Sequence, residues 1–443
     1  MRRTLLLSLL LTGSLPAFSQ TLYFPPTTGT NPTWATTSPA SLGWCQTPLD
    51  SLLAFAGRKG TKSLLILKDG RLVVEKYYGT YTQDSVWYWA SAGKSLTATL
   101  VGLAQQDGRL SLTDSTSRFL GRWTSATRAQ QQRIQLRHQL TMTTGLDDTP
   151  PPPCTNESTT PGCLRYQAPP ATRWAYYTGA YRTLQDVLVA ASGAPTLTQY
   201  TAQRLGNRIG MSGLWFQDVF YSRARDMARF GLFILARGSW DGTAVLTDQA
   251  YFTAMTTPSQ ALNRSYGYLW WLNGQASYQL PGPQQTVFPG PLIPSAPADL
   301  LAALGKNDQK IYVVPSRGLV VVRQGRDAGQ GRLAASSFDT DLWTRIMALL
   351  CGNPTATAAA GQPAAGYAAF PNPGAGTLTV RQPAGSSAIA VRLLDTRGRI
   401  VRGQATAAPD SSLALPGLAA GLYLVQWLDA AGLVLTTQRL TRQ

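Results

Sequence analysis

The chain has 443 residues, 44% of them hydrophobic, and its 39 basic side chains against 22 acidic ones give a formal charge of +17. That apolar content supports a sizeable core and excludes wholesale disorder, while the length allows one large domain with an accessory or two to three smaller ones. The positive charge is mostly single scattered arginines with no run of three basic residues, so it fits a solvated basic surface and argues against nucleic-acid binding.

In chain order, Met1-Arg2-Arg3 and the apolar run through Leu11, followed by Ala17-Phe18-Ser19, predict a signal peptide over residues 1–19 with a mature start near Gln20. No later apolar segment reaches the ~18 residues a membrane span needs. After an irregular Pro/Thr-rich lead (residues 21–44), a helix is expected over 48–55. Two β-rich runs, 63–68 and 71–78, flank Asp69-Gly70 and predict a hairpin. The aromatic run Trp87-Tyr88-Trp89 leads into Ser91 and Lys94, and Leu96, Leu100 and Leu103 continue at helical spacing, so a helix should open at Ser91 and break near Asp107-Gly108. Up to about residue 260 the signals are helical and loop-like, with helices expected over 183–191 and 222–233. Strand signals return at 300–305, 310–314 and 319–323, the last two joined by a Pro315-Ser316-Arg317-Gly318 turn, and a final helix is expected over 341–350. This order implies an α+β domain over residues 20–351, one sheet built from both chain ends with a helical lobe inserted, and a cleft at their junction. Residues 352–368 read as an uncharged Ala/Gly/Pro/Thr linker, and short β-rich runs with Gly/Pro turns over 369–443 predict a small β-sandwich.

Ser91 and Lys94 are the stretch that carries chemistry. At i and i+3 they share a helix face. A serine hydroxyl becomes a nucleophile when a base takes its proton, and a lysine amine serves if burial or a second cation lowers its pKa. A lone Ser-x-x-Lys is usually an exposed helix turn. This chain, however, has only seven lysines and a single Ser-x-x-Lys, and the pattern gains meaning when partner motifs follow. His138 is the only histidine, and its place in Leu136-Arg137-His138-Gln139-Leu140 fits packing or capping better than a Ser-His-Asp triad. The two glutamates, Glu75 and Glu157, argue against a paired-glutamate mechanism. An exported chain can form disulfides. Cys154 and Cys163 bracket a Pro/Thr-rich loop and suit a local bridge, leaving Cys45 with Cys351 if the first and last helices pack antiparallel. The cysteine spacings and the single histidine disfavour a metal site, and no cofactor is called for.

Downstream stand Trp174-Ala175-Tyr176-Tyr177-Thr178-Gly179-Ala180-Tyr181 and Gly305-Lys306-Asn307-Asp308-Gln309. The order Ser-x-x-Lys, a Tyr motif in the helical lobe, then Lys at the late strand resembles the serine β-lactamase and penicillin-binding-protein superfamily, most closely its class C-related hydrolases such as esterases, D-aminopeptidases and 6-aminohexanoate-oligomer hydrolases. Ile134-Gln135-Leu136-Arg137-His138-Gln139-Leu140-Thr141-Met142-Thr143-Thr144-Gly145-Leu146, Arg225-Asp226-Met227-Ala228-Arg229-Phe230-Gly231 and Tyr266-Gly267-Tyr268-Leu269-Trp270-Trp271 agree, and the likeness covers roughly residues 45–350. It implies a β-lactamase-like mixed sheet flanked by helices. It implies Ser91 as nucleophile, Lys94 as its base partner and Tyr176 in proton transfer, with Tyr177 or Tyr181 as fallbacks. Thr178 falls where the family usually has Asn. Lys306 matches the family's Lys/His-x-Gly cation, which lowers the pKa of Tyr176 and Lys94 and attracts a substrate carboxylate, and the oxyanion hole maps to the backbone N–H groups of Ser91 and Gln309. Asp308 stands where a glycine is usual and is expected to neutralise Lys306 in part; with Thr178 it weakens the case for β-lactam or D-Ala-D-Ala recognition.

In the tail, Phe370-Pro371-Asn372-Pro373, Leu393-Leu394-Asp395-Thr396-Arg397-Gly398-Arg399 and Ala420-Gly421-Leu422-Tyr423-Leu424-Val425 resemble the type A sorting domain of the type IX secretion system of Bacteroidetes. The resemblance implies that secretion machinery as a partner and passage across the outer membrane; a carbohydrate-binding or adhesive sandwich is the alternative. The whole sequence thus reads as a secreted serine hydrolase acting on a small-molecule ester or amide or on a peptide. A DD-peptidase or β-lactamase, and a catalytically silent surface-binding module, are the competing readings.

Overall fold

Asp69 and Gly70 both take positive φ, 49° and 83°, the backbone that a two-residue turn needs to match the twist of its strands. They join β1 (Thr61–Lys68) to β2 (Arg71–Tyr77), with Lys68 opposite Arg71. This computed structural model describes residues 22–28, 33–329, 335–350, 366–395, 400–406, 409–430 and 434–443. The expected signal peptide, most of the linker and Cys351 lie outside them.

In chain order, α1 (Gln46–Arg58) precedes the hairpin; β3 (Val86–Tyr88) and α2 (Gly93–Gln106) follow it; then come α3 (Thr178–Ser192), β4 (Leu214–Phe216), β5 (Val219–Arg223) and α4 (Ala224–Leu235). The late strands are β6 (Trp271–Leu272), β7 (Leu301–Gly305), β8 (Gln309–Val314) and β9 (Leu319–Gly325), before α5 (Ser337–Met347). They join the early hairpin in one six-stranded sheet of order β2-β1-β9-β8-β7-β6. Each pairing is antiparallel, and short turns join β1 to β2, β7 to β8 and β8 to β9. Every residue of β8 and β9 is buried, the apolar runs Ile311–Val314 and Leu319–Val322 together with the polar Gln309, Lys310, Arg323 and Gln324.

Helix α4 lies on this sheet at Gly231, where a Cβ would come within 2.4 Å of Val320 Cγ1 and 3.1 Å of Ile311 Cγ2. The first and last helices meet through Phe55 and Phe338, stacked at 5.8 Å. At that junction the Cys45 N–H donates to the Leu349 carbonyl at 2.9 Å. Cys45 is disulfide-bonded; its expected partner, Cys351, lies outside the described residues. The Cys154–Cys163 bridge is present with Cα atoms 5.4 Å apart.

The chain divides into two compact units, Met1–Leu349 and Leu350–Gln443. In the second, β10 (Ala368–Phe370), β11 (Thr377–Arg381), β12 (Ala390–Leu394), β13 (Ile400–Ala405), β14 (Asp410–Ala414), β15 (Gly421–Leu428) and β16 (Val434–Arg442) form two sheets, β10-β11-β14 and β13-β12-β15-β16. Leu378, Val380, Val391, Leu393, Val425 and Trp427 fill their core. The expected β-rich runs do not include β10 and β13, each of which lies at a sheet edge. Among the described residues no helix is long and apolar enough to cross a membrane.

Replacing Gly231 by Ala forces a methyl into the β-branched Val320 of a buried strand. The Gly231→Ala protein is expected to lose about 1–3 kcal/mol of stability, read as a lower denaturant midpoint with an unchanged slope.

Candidate active site

The helix anticipated at Ser91 begins slightly later. Ser91 occupies a 3₁₀ turn, Ala90–Ala92, that feeds into α2. The turn is over-determined. Ala90 sits at φ 48°, a strained value for a residue with a Cβ. Trp89, fully buried, anchors the turn through its N–H to the Phe220 carbonyl at 2.8 Å and its indole N–H to Ser222 Oγ at 2.7 Å. From the other side β7 presses in at Gly305, where a Cβ would stand 2.3 Å from the Trp89 carbonyl and 3.1 Å from the Ala92 nitrogen. Only a glycine lets that strand lie so close.

On α2, which is buried from Gly93 through Ala104, Lys94 directs its amine at the serine: Nζ donates to Ser91 Oγ at 3.1 Å. The side chain is 3% exposed and its amine lies 4.3 Å from the Tyr181 ring centroid and 5.2 Å from that of Tyr176. Burial drives its pKa down to about 7, the Arg182 guanidinium pushes it further down, and Glu157 opposes. The family likeness had assigned the depressing cation to Lys306. Arg182 takes that part instead, because it projects from α3 one turn beyond Thr178 into the same cleft, whereas Lys306 is exposed at the mouth.

Tyr176 is fixed from behind by aromatic packing. Its ring stacks on Trp271 at 5.9 Å and meets Tyr266 edge-on at 6.3 Å. Burial pushes its phenol well above the ordinary tyrosine range, partly offset by a hydrogen bond with the Ser91 side chain. The expected lowering by Lys306 therefore does not occur, and the group is a phenol, not a phenolate, at neutral pH. Of its neighbours, Tyr177 turns away to bond the Cys163 carbonyl at 3.0 Å, and the Tyr181 hydroxyl sits deeper, 2.8 Å from Thr97 Oγ1.

The Cys154–Cys163 loop forms one wall. Asn156 clamps the start of α3: its side-chain oxygen accepts from the Thr178 N–H at 3.1 Å, its amide donates to the Tyr176 carbonyl at 3.2 Å, and its own carbonyl accepts from the Gly179 N–H at 2.7 Å. A Cβ on Gly179 would come within 2.1 Å of the Ser158 carbonyl, so the glycine permits the loop to seat. Glu157 then meets Arg182 at 3.2 Å, and Asp218 approaches the same guanidinium at 3.5 Å. The resulting cavity, about 320 Å³, is lined by Ser91, Lys94, Tyr176, Thr178, Arg182 and Lys306, with Tyr88 and Tyr221 opposite.

The Gln309 side chain does not line this cleft. It is fully buried, and its side-chain amide bonds the Asn307 carbonyl at 2.8 Å and the Gly325 carbonyl at 2.7 Å, tying the turn after Lys306 to β9. Asp308 does not neutralise Lys306 either. At positive φ (58°) it folds inward, where its carboxylate pairs with Lys310 at 3.2 Å and accepts the Ala328 N–H at 3.0 Å. His138 accepts the Gln135 N–H at 3.0 Å as a helix cap, away from the serine. Among the described residues no cluster of three or more His, Cys, Asp or Glu side chains could hold a metal ion.

Sequence reasoning missed Arg182, Glu157, Asp218 and Asn156. Arg182 lies at i+4 from Thr178 on α3, in a turn that precedes the helix expected over 183–191. The others sit in loops whose placement only the tertiary structure supplies.

The model of the Beta-lactamase family matches residues 56–323, and that of the secretion system C-terminal sorting domain matches residues 368–440. No curated protein matches the chain. Among solved structures, a protein assigned as a 6-aminohexanoate-dimer hydrolase from Bacillus anthracis is 17% identical over 74% of this chain and 88% of its own, with a TM-score of 0.54. A penicillin-binding-protein homologue from Caulobacter crescentus is 13% identical over 72% of this chain and 99% of its own, at a TM-score of 0.55. EstCE1, a hydrolase with promiscuous acyltransferase activity, is 14% identical over 70% and 99%, at 0.51. At these identities the likeness is one of fold.

Because Arg182 depresses the Lys94 pKa and Glu157 raises it, Arg182→Gln should move the pH midpoint of Ser91 labelling by a fluorophosphonate upward and Glu157→Gln should move it downward. Labelling rates measured across about pH 5–11, a range that brackets a depressed and a free lysine, read both shifts.

Proposed function

Since the chain belongs to the beta-lactamase family, we propose that it is an exported serine hydrolase cleaving an ester or amide through an acyl-enzyme on Ser91. The observation that carries this reading is the buried Lys94 amine, 3.1 Å from Ser91 Oγ and with a pKa near 7. At neutral pH a large share of such amines is uncharged and can accept the serine proton.

In the proposed sequence Ser91 Oγ attacks the acyl carbon while its proton passes to Lys94 Nζ. The oxyanion of the tetrahedral intermediate is held by main-chain N–H groups, one from Ser91 and the second from beside the end of β7, where Gly305 brings the strand against the nucleophile turn. The family resemblance assigns that second N–H to the main chain of Gln309, the first residue of β8 and the partner of Gly305 in the sheet. The Tyr176 phenol gives its proton to the leaving group as the acyl bond breaks, and Lys94 returns the serine proton to the phenol. Water then repeats the cycle on the acyl-enzyme: it loses a proton to the Lys94–Tyr176 pair, attacks the acyl carbon, and Ser91 leaves with the proton restored. Thr178 and Arg182 line the side where substrate polar groups would lie, and the charge of Lys306 favours a carboxylate at the mouth. The sorting-domain match supports delivery by the type IX machinery to the cell surface or medium.

Ser91→Ala is expected to reduce hydrolysis of p-nitrophenyl acetate to background, and Lys94→Ala to lower kcat by about 10²–10⁴-fold. Retention of wild-type turnover in Ser91→Ala would reject the scheme. A chromogenic cephalosporin assayed in parallel separates an esterase or amidase from a β-lactamase. For pH, the base must be neutral. The folded-state pKa lies below that of free lysine, so kcat/KM should rise with pH through about 7 and level above it, with the midpoint belonging to the coupled Lys94–Tyr176 group. A midpoint near that of free lysine, ~10.4, would remove Lys94 from the role.

A further inference from the structure

Strands β3, β5 and β4 form a small antiparallel sheet in which Tyr88 pairs with Tyr221, Leu214 with Tyr221, and Phe216 with Val219. Paired residues share a face, and so do residues two apart on one strand. One face therefore carries Val86, Tyr88, Val219, Tyr221, Leu214 and Phe216. The opposite face is seated on the nucleophile turn: Phe220 packs edge-on against Trp89 at 5.1 Å, and the Trp215 ring would lie 3.6 Å from a Cβ on Gly93.

The outward face is apolar yet open. Val86, Leu214 and Phe216 are 53%, 49% and 57% exposed, an unusual concentration of bare hydrophobic surface for one three-stranded patch. It is also continuous with the cleft, since Tyr88, Val219 and Tyr221 line the cavity that holds Ser91. The rings run in sequence from solvent to serine: Phe216 to Tyr221 at 6.3 Å, then Tyr221 to Tyr88 at 6.3 Å. Tyr88 is held in place by the Asn307 amide, which donates to its hydroxyl at 2.7 Å. Arg223, opposite Val86 at the far edge, is turned to Asp84 and Asp226.

We propose that this face is the acyl-chain subsite, so that the preferred substrates are esters or amides of medium to long apolar acyl groups that lie along Tyr88, Tyr221 and Phe216. The proposal rests on the serine hydrolase reading of Ser91. A rigid floor, an open apolar surface and a direct run to the nucleophile are what a flexible hydrocarbon chain requires. Each methylene laid on the face leaves water on one side, so affinity grows with chain length.

The test compares p-nitrophenyl acetate with p-nitrophenyl octanoate on the full chain. In the wild type kcat/KM should favour octanoate by about tenfold or more, through KM. The exposed pair Leu214→Ser with Phe216→Ser should remove most of that preference. Ser91→Ala, which leaves the esters intact, should bind octanoate about tenfold more tightly than acetate by calorimetry. Hydrolysis of both esters with equal kcat/KM and equal affinity would overturn the subsite and leave the hydrolase reading standing. No hydrolysis of either ester, with chain-length-dependent binding retained, would overturn both the hydrolase reading and the acyl-subsite assignment. A missing octanoate preference together with a dimer that the double variant converts to monomer would give the face to a second copy of the chain and overturn the proposal.

Discussion

Removing one amine from water is the constraint on which the site depends. Lys94 sits on a helix buried along nearly its whole length, under two tyrosine rings. A charged ammonium there forfeits most of its hydration, and aromatic faces return only part of the loss. The neutral form is thereby favoured, and the hydroxyl at 3.1 Å gains a base. The same burial raises the Tyr176 phenol. In the proposed mechanism one desolvated space thus sets two groups to opposite tasks, a base that is free of its proton and an acid that keeps its own.

Holding that arrangement takes contributions from distant parts of the chain. The sheet joins the early hairpin to the late strands through the β1–β9 pairing, and β7 then reaches the nucleophile turn only because Gly305 has no side chain. Trp89 fixes the turn from beneath through Phe220 and Ser222. The wall opposite depends on Asn156, which bonds both Tyr176 and Thr178. Neither wall is local in sequence to the serine.

That division decides what was legible. The sheet, its hairpins and the first and last helices followed from alternation, turn residues and apolar spacing, and so did the tail sandwich apart from β10 and β13. Ser91, Lys94, Tyr176, Thr178 and Lys306 could be named from their order along the chain, and the cleft gathers all five. Charge partners were harder. The family resemblance pointed to Lys306, yet the cation that lowers the Lys94 pKa is Arg182, one of many arginines. Asp308 looked like a neighbour of Lys306, but two successive residues at positive φ, Asn307 and Asp308, reverse its direction and send it to Lys310. Glu157 and Asp218 lie in loops without periodicity, where only contact across the cleft gives them a partner.

The loop that carries Asn156 and Glu157 is closed by a sulfur–sulfur bond between Cys154 and Cys163. In a reducing cytoplasm such a bond is not maintained, whereas the Asn156 clamp, the Arg182 contact and the Tyr177 hydroxyl on the Cys163 carbonyl need no oxidant. A bridge of this kind persists where the surroundings are oxidising, which agrees with the secretion sorting domain matched over residues 368–440.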